Sequence, residues 1–332
     1  MNVHARLPLS ADTLRIDAAK ETDRIVAGLR AQLRNLKKRG LVLGLSGGID
    51  SSVCAALAVR AVGAANVQAL YMPEHDSDSD SLTLGRLLAE TFDIEGVVED
   101  IGPMLTAMGC YSRRDGFIRQ LVPDYGAGWA SKLVIANTLE SEGYNISSLV
   151  VQAPDGTTEK HRMPLEVYLG VVAATSMKQR TRKQVEYYHA DRLNFAVLGT
   201  PNRLEYDQGF FVKNGDGAAD VKPIAHLYKS QVYQLAEFLG VPAEIRRRPP
   251  TTDTYSLPQT QEEFYFALPY DRMDLCLYGL NHGLDAATVA GAAGLTEEQL
   301  GRVWRDIAAK RKATRGQHLA PMLVEPVVEV AS

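Results

Sequence analysis

Residues 41–59 read LVLGLSGGIDSSVCAALAV. The apolar run 41–45 predicts a short buried strand, and the alanine-rich run 49–62 predicts a helix. Between them lies Ser46-Gly47-Gly48-Ile49-Asp50-Ser51-Ser52, the makings of an anion site. Gly47 and Gly48 let the backbone approach a ligand closely. The amides of residues 47–52 then point at it from the positive end of the following helix. The hydroxyls of Ser46, Ser51 and Ser52 add donors. A P-loop follows its glycines with a lysine, and here no lysine follows. Asp50 would repel bare phosphate, but it makes sense as a ligand to a divalent cation that bridges phosphate oxygens. The residues thus ask for a polyphosphate with Mg2+, gripped at an end that leaves as a unit. The bland alternative is a glycine turn opening an ordinary helix.

The pattern continues outward. One long helix is expected over 10–39, capped by Ser10 or Asp12, with Leu14, Ile16, Ile25, Leu29, Leu33 and Leu36 at helical spacing and a stop at Gly40. Further strands are expected over 67–72, 96–101 and 194–198, with helices over 79–92 and about 164–191. Strands alternating with helices imply right-handed crossovers, hence an α/β fold with a doubly wound parallel sheet and helices on both faces. Residues 103–163 are the least readable. Within them 145–151 and 158–163 read as strands joined at Ala153-Pro154-Asp155-Gly156. Proline presets φ and glycine takes the positive φ, so a β-hairpin is expected. Helices over 228–239, 270–281, 285–292 and 296–311 make the part from 256 to 332 mainly helical, and MLVEPVVEVAS at its end is expected to be extended or partly disordered. The whole of 1–332 reads as a single domain.

The chain has 332 residues, 45% of them apolar and 23% charged, enough for a substantial core without disulfide staples. A net charge of −4 gives no global basic field for nucleic acid. The run Lys178-Gln179-Arg180-Thr181-Arg182-Lys183 reads as a solvated helix face. Cys54, Cys110 and Cys276 are odd in number and form no CxxC, which argues against a disulfide framework or a zinc site and suits a reducing compartment. The first 17 residues hold no apolar core of signal-peptide length, and no apolar run reaches membrane-spanning length. A cytoplasmic protein with no membrane or nucleic-acid partner is expected.

Strand–SGGxDS–helix resembles the loop of the N-type ATP pyrophosphatases, which cleave ATP to AMP and pyrophosphate while adenylating a carboxylate or carbonyl. The stretch LGTPNRLEYDQGFFVKNGDGAADVKPIAHLYKSQVYQLAEFLGVP, residues 198–242, resembles the ammonia-dependent NAD synthetases. So do YMPEHDSDSDS after the second strand, KQRTRKQVEYY at 178–188 and RRPPTTD at 247–253. The resemblance covers about half the chain. It implies amidation of deamido-NAD to NAD by ammonia, through an adenylated carboxylate, with release of AMP and pyrophosphate.

Site residues follow from the matching positions. The resemblance places Mg2+ on Asp50 and Glu205. It places ATP on Gly44, Leu45, Ser46, Gly47, Gly48, Ile49, Asp50, Ser51, Thr200, Lys229 and Thr251. Lys229 supplies the cation that the loop lacks. Arg180, Lys213 and Asp220 match positions that hold deamido-NAD. Tyr187 fits the pattern either as a stacking or as a packing residue. Asp216, in the turn Asn214-Gly215-Asp216-Gly217, matches a catalytic aspartate that either positions ammonia or accepts its proton. Read without the resemblance, Glu205 and Lys229 are a surface helix acid and a solvent-facing lysine. No Ser-His-Asp or Cys-His arrangement is found, and none of the seven histidines is assigned.

Departures from the family pattern are also legible. Ser176 stands where the family usually has asparagine. Residues 108–165 are longer than in short members, an insert that includes the expected hairpin and could reshape the pocket or the dimer interface. The family's C-terminal His-Lys pair has no clean counterpart, Lys310-Arg311-Lys312 and His318 being the substitutes. Ser256-Leu257-Pro258-Gln259-Thr260 replaces a more acidic stretch. The chain is too short for a fused glutaminase domain, so ammonia is expected free or from a separate glutaminase. A homodimer is implied. The alternatives are a related amide ligase acting on another carboxylate, and a nucleotide-binding module without catalysis. Together, Asp50, Glu205, Lys229 and Asp216 argue against the latter.

Overall fold

The computed structural model describes residues 9–135, 147–251 and 254–328. Its centre is a four-stranded parallel sheet of β1 (Leu41–Gly44), β2 (Val67–Tyr71), β3 (Glu95–Val98) and β7 (Ala196–Val197), in the order β3-β2-β1-β7. A second sheet is antiparallel, with β4 (Ala130–Val134), β5 (Ser148–Gln152) and β6 (Thr158–Arg162) in chain order. The helices are α1 (Ala18–Leu36), α2 (Ile49–Val62), α3 (Ser79–Thr91), α4 (Gly102–Ala107), α5 (Cys110–Ile118), α6 (Leu165–Leu193), α7 (Arg203–Gln208), α8 (Lys229–Leu239) and α9 (Ala243–Arg247). After them come α10 (Tyr270–Asn281), α11 (Ala286–Ala293) and α12 (Glu297–Thr314).

Strand alternation explains the layers. Leu41 and Leu43 of β1, with Val67 and Ala69 of β2, pack on one face against Leu29, Val53, Leu57 and Val232 from α1, α2 and α8. Val42, Leu70 and Val197 turn to the other face, against Leu105, Val185 and Ala190 from α4 and α6. β1, β2 and β7 are thus covered on both sides, which is why they are almost wholly apolar, whereas the edge strand β3 is largely exposed. A separate core of Met273, Leu277, Val289, Leu300, Val303 and Ile307 joins α10, α11 and α12. The antiparallel sheet has its own core, in which Leu133, Leu149 and Val151 pack on Val167 and Val171 of α6. Strand order turns outward in both directions from β1. Its C-terminal end, between β1 and β7, is therefore the switch point at which such sheets bind ligands.

Several boundaries differ from the reading of the sequence. The expected helix 10–39 is two elements: a 3-10 turn, Ala11–Leu14, opened by Ser10, and α1, capped by Asp17, whose carboxylate accepts from the Lys20 amide at 3.1 Å. Lys37, left-handed at φ 54°, ends α1 three residues before Gly40. Asn194 is not strand: it takes φ 55° as the C-cap of α6, a conformation asparagine tolerates. Third, β4, α4 and α5 lie in the stretch that local pattern left unread. The hairpin pairs β5 with β6 around Ala153–Thr157, with Gly156 at φ 88°. Positions 145–146 of the expected first strand, Thr252-Asp253 of the 247–253 match and the last four residues lie outside the described residues.

Candidate active site

The loop after β1 is shaped by its glycines. Gly47 sits at φ 69°, and a Cβ there would lie 2.8 Å from both Leu84 Cβ and Ser81 O. A Cβ on Gly44 would meet Met72 Cε at 2.9 Å. Gly48 opens α2, and its carbonyl accepts from Ser52 Oγ at 2.8 Å and Ser51 Oγ at 3.1 Å. Those hydroxyls hold the loop's shape at the positive end of a 14-residue helix.

Three further elements converge on Asp50 and Glu205. Asn202 caps α7 and forms a reciprocal box with Glu205: Asn202 Oδ1 accepts from the Leu204 amide at 2.9 Å, and Glu205 Oε2 accepts from the Asn202 amide at 3.1 Å. The spare Asn202 Nδ2 donates to Asp50 Oδ1 at 3.0 Å. From α8, the buried Lys229 ammonium donates to Asp50 Oδ2. From the π-helical turn Glu262–Phe266 and its preceding residue, Gln261 Nε2 donates to Glu205 Oε1 at 2.9 Å. Lys229 is fixed from behind, since the fully buried Asp274 of α10 accepts from the Lys229 amide at 3.2 Å and the Ser230 amide at 2.7 Å, capping α8.

The electrostatics follow from this crowding. Burial, then the neighbouring Asp50, push the Glu205 carboxyl up to about 7 against the pull of Lys229. Burial lowers the Lys229 ammonium, but Asp50 and Glu205 outweigh it, so the net shift is upward and the lysine stays charged. Two oxygen donors that resist sharing one site are a fitting set for a hard divalent cation. No group of three or more His, Cys, Asp or Glu side chains suited to a metal occurs among the described residues. A cation here would therefore take its remaining ligands from phosphate or water.

Asp50, Glu205 and Lys229 line one cleft of about 890 Å3. Gly44, Leu45, Ser46, Gly48, Ile49, Ser51, Thr200 and Thr251 line it too, as do Arg180, Lys213 and Asp216. Arg180 Nε donates to the Lys213 carbonyl at 3.2 Å, and Lys213 Nζ to the Gly316 carbonyl at 3.0 Å. Asp216 accepts from the Val212 amide at 2.8 Å, and burial raises its pKa. Gly47, unlike its neighbours Ser46 and Gly48, does not line the cleft. Asp220 and Tyr187 are not brought to this cleft: Tyr187 donates to Asp220 at 3.4 Å, and the aspartate's other oxygen accepts from the Val197 amide at 2.7 Å. Of the C-terminal substitutes, Lys310 lines the cleft, Arg311 pairs with Asp207, and His318 sits edge-on to Tyr206 and Phe211.

The expected solvated face of 178–183 is overturned. Lys178 and Lys183 are buried in ion pairs with Glu74 and Glu186, and Arg180 and Arg182 line the cleft. The site also uses residues that the sequence reading passed over. Asn202 was signalled by the Asn-x-x-Glu capping pattern, whereas Asp274 and Gln261 carry no local signal.

A sequence model described as NAD synthase matches residues 21–119 and 128–314. The chain belongs to the NAD synthase family. Among its relatives, "NH(3)-dependent NAD(+) synthetase" of Rhizobium meliloti (strain 1021) is 78% identical over 325 residues, 98% of this chain and 97% of that one. Solved structures share the fold. An NMN synthetase from Francisella tularensis superposes with a TM-score of 0.64 at 22% identity, over 93% of this chain and 99% of that one. The NH3-dependent NAD synthetase from Campylobacter jejuni superposes with a TM-score of 0.58 at 22% identity, over 94% of this chain and 100% of that one.

Proposed function

We propose that this NAD synthase family member is a ligase that forms NAD from deamido-NAD, ATP and ammonia, releasing AMP and pyrophosphate. The observation that carries this reading is near full-length identity of 78% to a relative named for that activity. The cleft's chemistry supports it. A nicotinate carboxylate oxygen attacks the α-phosphorus of ATP, and the bond to the β-phosphate oxygen breaks. The loop amides of 47–52 and the Lys229 ammonium stabilise the charge that accumulates on the leaving pyrophosphate. Ammonia then attacks the acyl carbon of the mixed anhydride, AMP leaves, and one proton must be accepted. Asp216 is suited to that role, because burial makes its carboxylate more basic than usual. No covalent nucleophile is required of the protein.

In this reading Asp50 and Glu205 hold Mg2+, which supplies charge neutralisation to the polyphosphate when bound. Lys229 stays charged beside them and would pair with a phosphate oxygen. Thr200 and Thr251 face ATP. Arg180 and Lys213 hold deamido-NAD, with Asp220 and Tyr187 acting in its recognition at a subunit boundary of a homodimer. Ile135 and Ser147, from the 108–165 segment, line the cleft and shape its acceptor end. Ammonia arrives free or from a separate glutaminase.

The test is pyrophosphate release from ATP and Mg2+, run complete and then with deamido-NAD or ammonium omitted. Release should require deamido-NAD, and NAD should form only with ammonium. Release driven instead by a different carboxylate would overturn the substrate assignment. Sedimentation should show a dimer, and a fully active monomer would contradict the subunit-boundary role.

A further inference from the structure

Lys178 is a charged side chain with no contact to the cleft and 0% exposure. All three of its N–H donors are used: on Glu74 Oε1 at 2.9 Å, Asp76 Oδ2 at 2.5 Å and the Thr254 carbonyl at 2.8 Å. Glu74 in turn accepts from Tyr111 Oη at 2.8 Å, and Asp76 pairs with Arg114 of α5, whose Nε donates to Asp115 at 2.9 Å. Burial raises the Asp76 carboxyl, but Lys178 and Arg114 outweigh it, so the group is held ionised.

Such a network is a poor device for stability alone. Desolvating its charges offsets most of their attraction, and an apolar cluster of similar volume does as well or better. What the network does have is connectivity. Its carboxylates lie on the loop after β2, whose Pro73, Ser77 and Asp78 line the cleft. Its carbonyl partner lies on the segment whose Pro250, Thr251 and Thr254 also line the cleft. Its ammonium is on α6, two residues before Arg180. A second tie runs the same way, from Arg248 to Asp78 at 2.6 Å.

We infer that Lys178 is a positioning residue for the proposed reaction, a buried hub that keeps these two lining segments in register with α6 so that Thr251 and Arg180 address one bound complex. This rests on the reaction proposed above. Lys178→Met alone would strand Glu74, so the informative pair is Glu74→Gln, which keeps the Lys178 ties to Asp76 and Thr254, and Lys178→Met/Glu74→Gln, which removes one charge of each sign and leaves Asp76 with Arg114. The double variant should melt within a few degrees of Glu74→Gln. Its kcat for deamido-NAD-dependent pyrophosphate release should nonetheless fall about 10- to 100-fold, more than KM for ATP rises. In the same variant the Ser77 amide, bonded to the Glu74 carbonyl, and the Gln261 amide, bonded to the Pro250 carbonyl, should both exchange hydrogen faster, while the Leu198 amide, bonded to the Val42 carbonyl of β1, does not change. A kcat within about twofold of Glu74→Gln would overturn the inference, since a 1 Å misplacement costs far more. So would unchanged exchange at both amides. If the double variant fails to fold, native-state exchange of the wild type decides: a hub requires Ser77 and Gln261 to open with the same free energy, and distinct opening energies overturn it. A wild type without deamido-NAD dependence would sink the proposed reaction yet leave the exchange result standing.

Discussion

Two lysines of this molecule are buried between pairs of carboxylates, and they differ in what the third side of the ammonium meets. Lys178 closes on Glu74, Asp76 and a backbone carbonyl, and lies behind the cleft wall. Lys229 binds Asp50 next to Glu205 and lines the cleft itself. The first arrangement is complete without a ligand. The second leaves a carboxyl, Glu205, that burial and Asp50 drive up to about 7, a strain that an added cation would relieve. A buried ion cluster is therefore not one kind of object: satisfied, it fixes geometry; incompletely satisfied at a cleft, it is poised to exchange partners.

The largest expected effect breaks the open cluster. Asp50→Ala and Glu205→Ala should each lower pyrophosphate release by about 10²- to 10³-fold, as loss of a main electrostatic stabiliser does. Turnover retained in both would remove the metal assignment. Next, Lys229→Met and Lys178→Met should respond differently to Mg2+ in thermal melts without ATP. The cation can enter from the cleft and replace the missing charge between Asp50 and Glu205, so Lys229→Met should gain stability with Mg2+, whereas Glu74, stranded by Lys178→Met behind the cleft lining, is out of a hydrated cation's reach and that variant should not. Equal responses would erase the contrast.

Smaller effects test the supports. Gly47→Ala imposes a side chain at φ 69° beside Leu84 and Ser81. It should cost about 1–2 kcal/mol from the left-handed backbone alone, measurable by denaturant unfolding. Asp274, capping α8 under Lys229, is raised by burial to about 6, above its ordinary 3.8. Below the unfolded value both states are protonated and no stability is lost. Between about pH 4 and 6 the unfolded chain releases its proton first, so stability falls as pH rises, by at most about 3 kcal/mol. Asp274→Asn should remove that slope, and an unchanged pH profile would contradict the cap's burial.

How much of this was legible depended on the range of the forces involved. The 49–62 helix, the parallel strands and the Pro-Asp-Gly hairpin are set by local pattern, and residues 41–59 alone point to the polyphosphate loop. Lys178, Glu205 and Lys229 read as solvated charges because nothing within a helical turn of them signals burial. Their burial depends on partners far along the chain: Glu74 and Asp76 for Lys178, Asp50 for Lys229, Gln261 for Glu205. The strand β4, ASKLV, carries a lysine and a serine within five residues and gives only a weak alternation, so the antiparallel sheet was read with two strands instead of three. Asn202 was within reach, since its capping box with Glu205 is written in Asn-Arg-Leu-Glu.

The most direct test of the account is the fate of the carboxylate oxygen. With deamido-NAD labelled by 18O in its nicotinate carboxylate, ATP, Mg2+ and ammonium, one 18O should pass into AMP for each NAD formed. AMP without label, or label in inorganic phosphate together with ADP, would contradict attack at the α-phosphorus and with it the role assigned to the loop, Asp50 and Lys229.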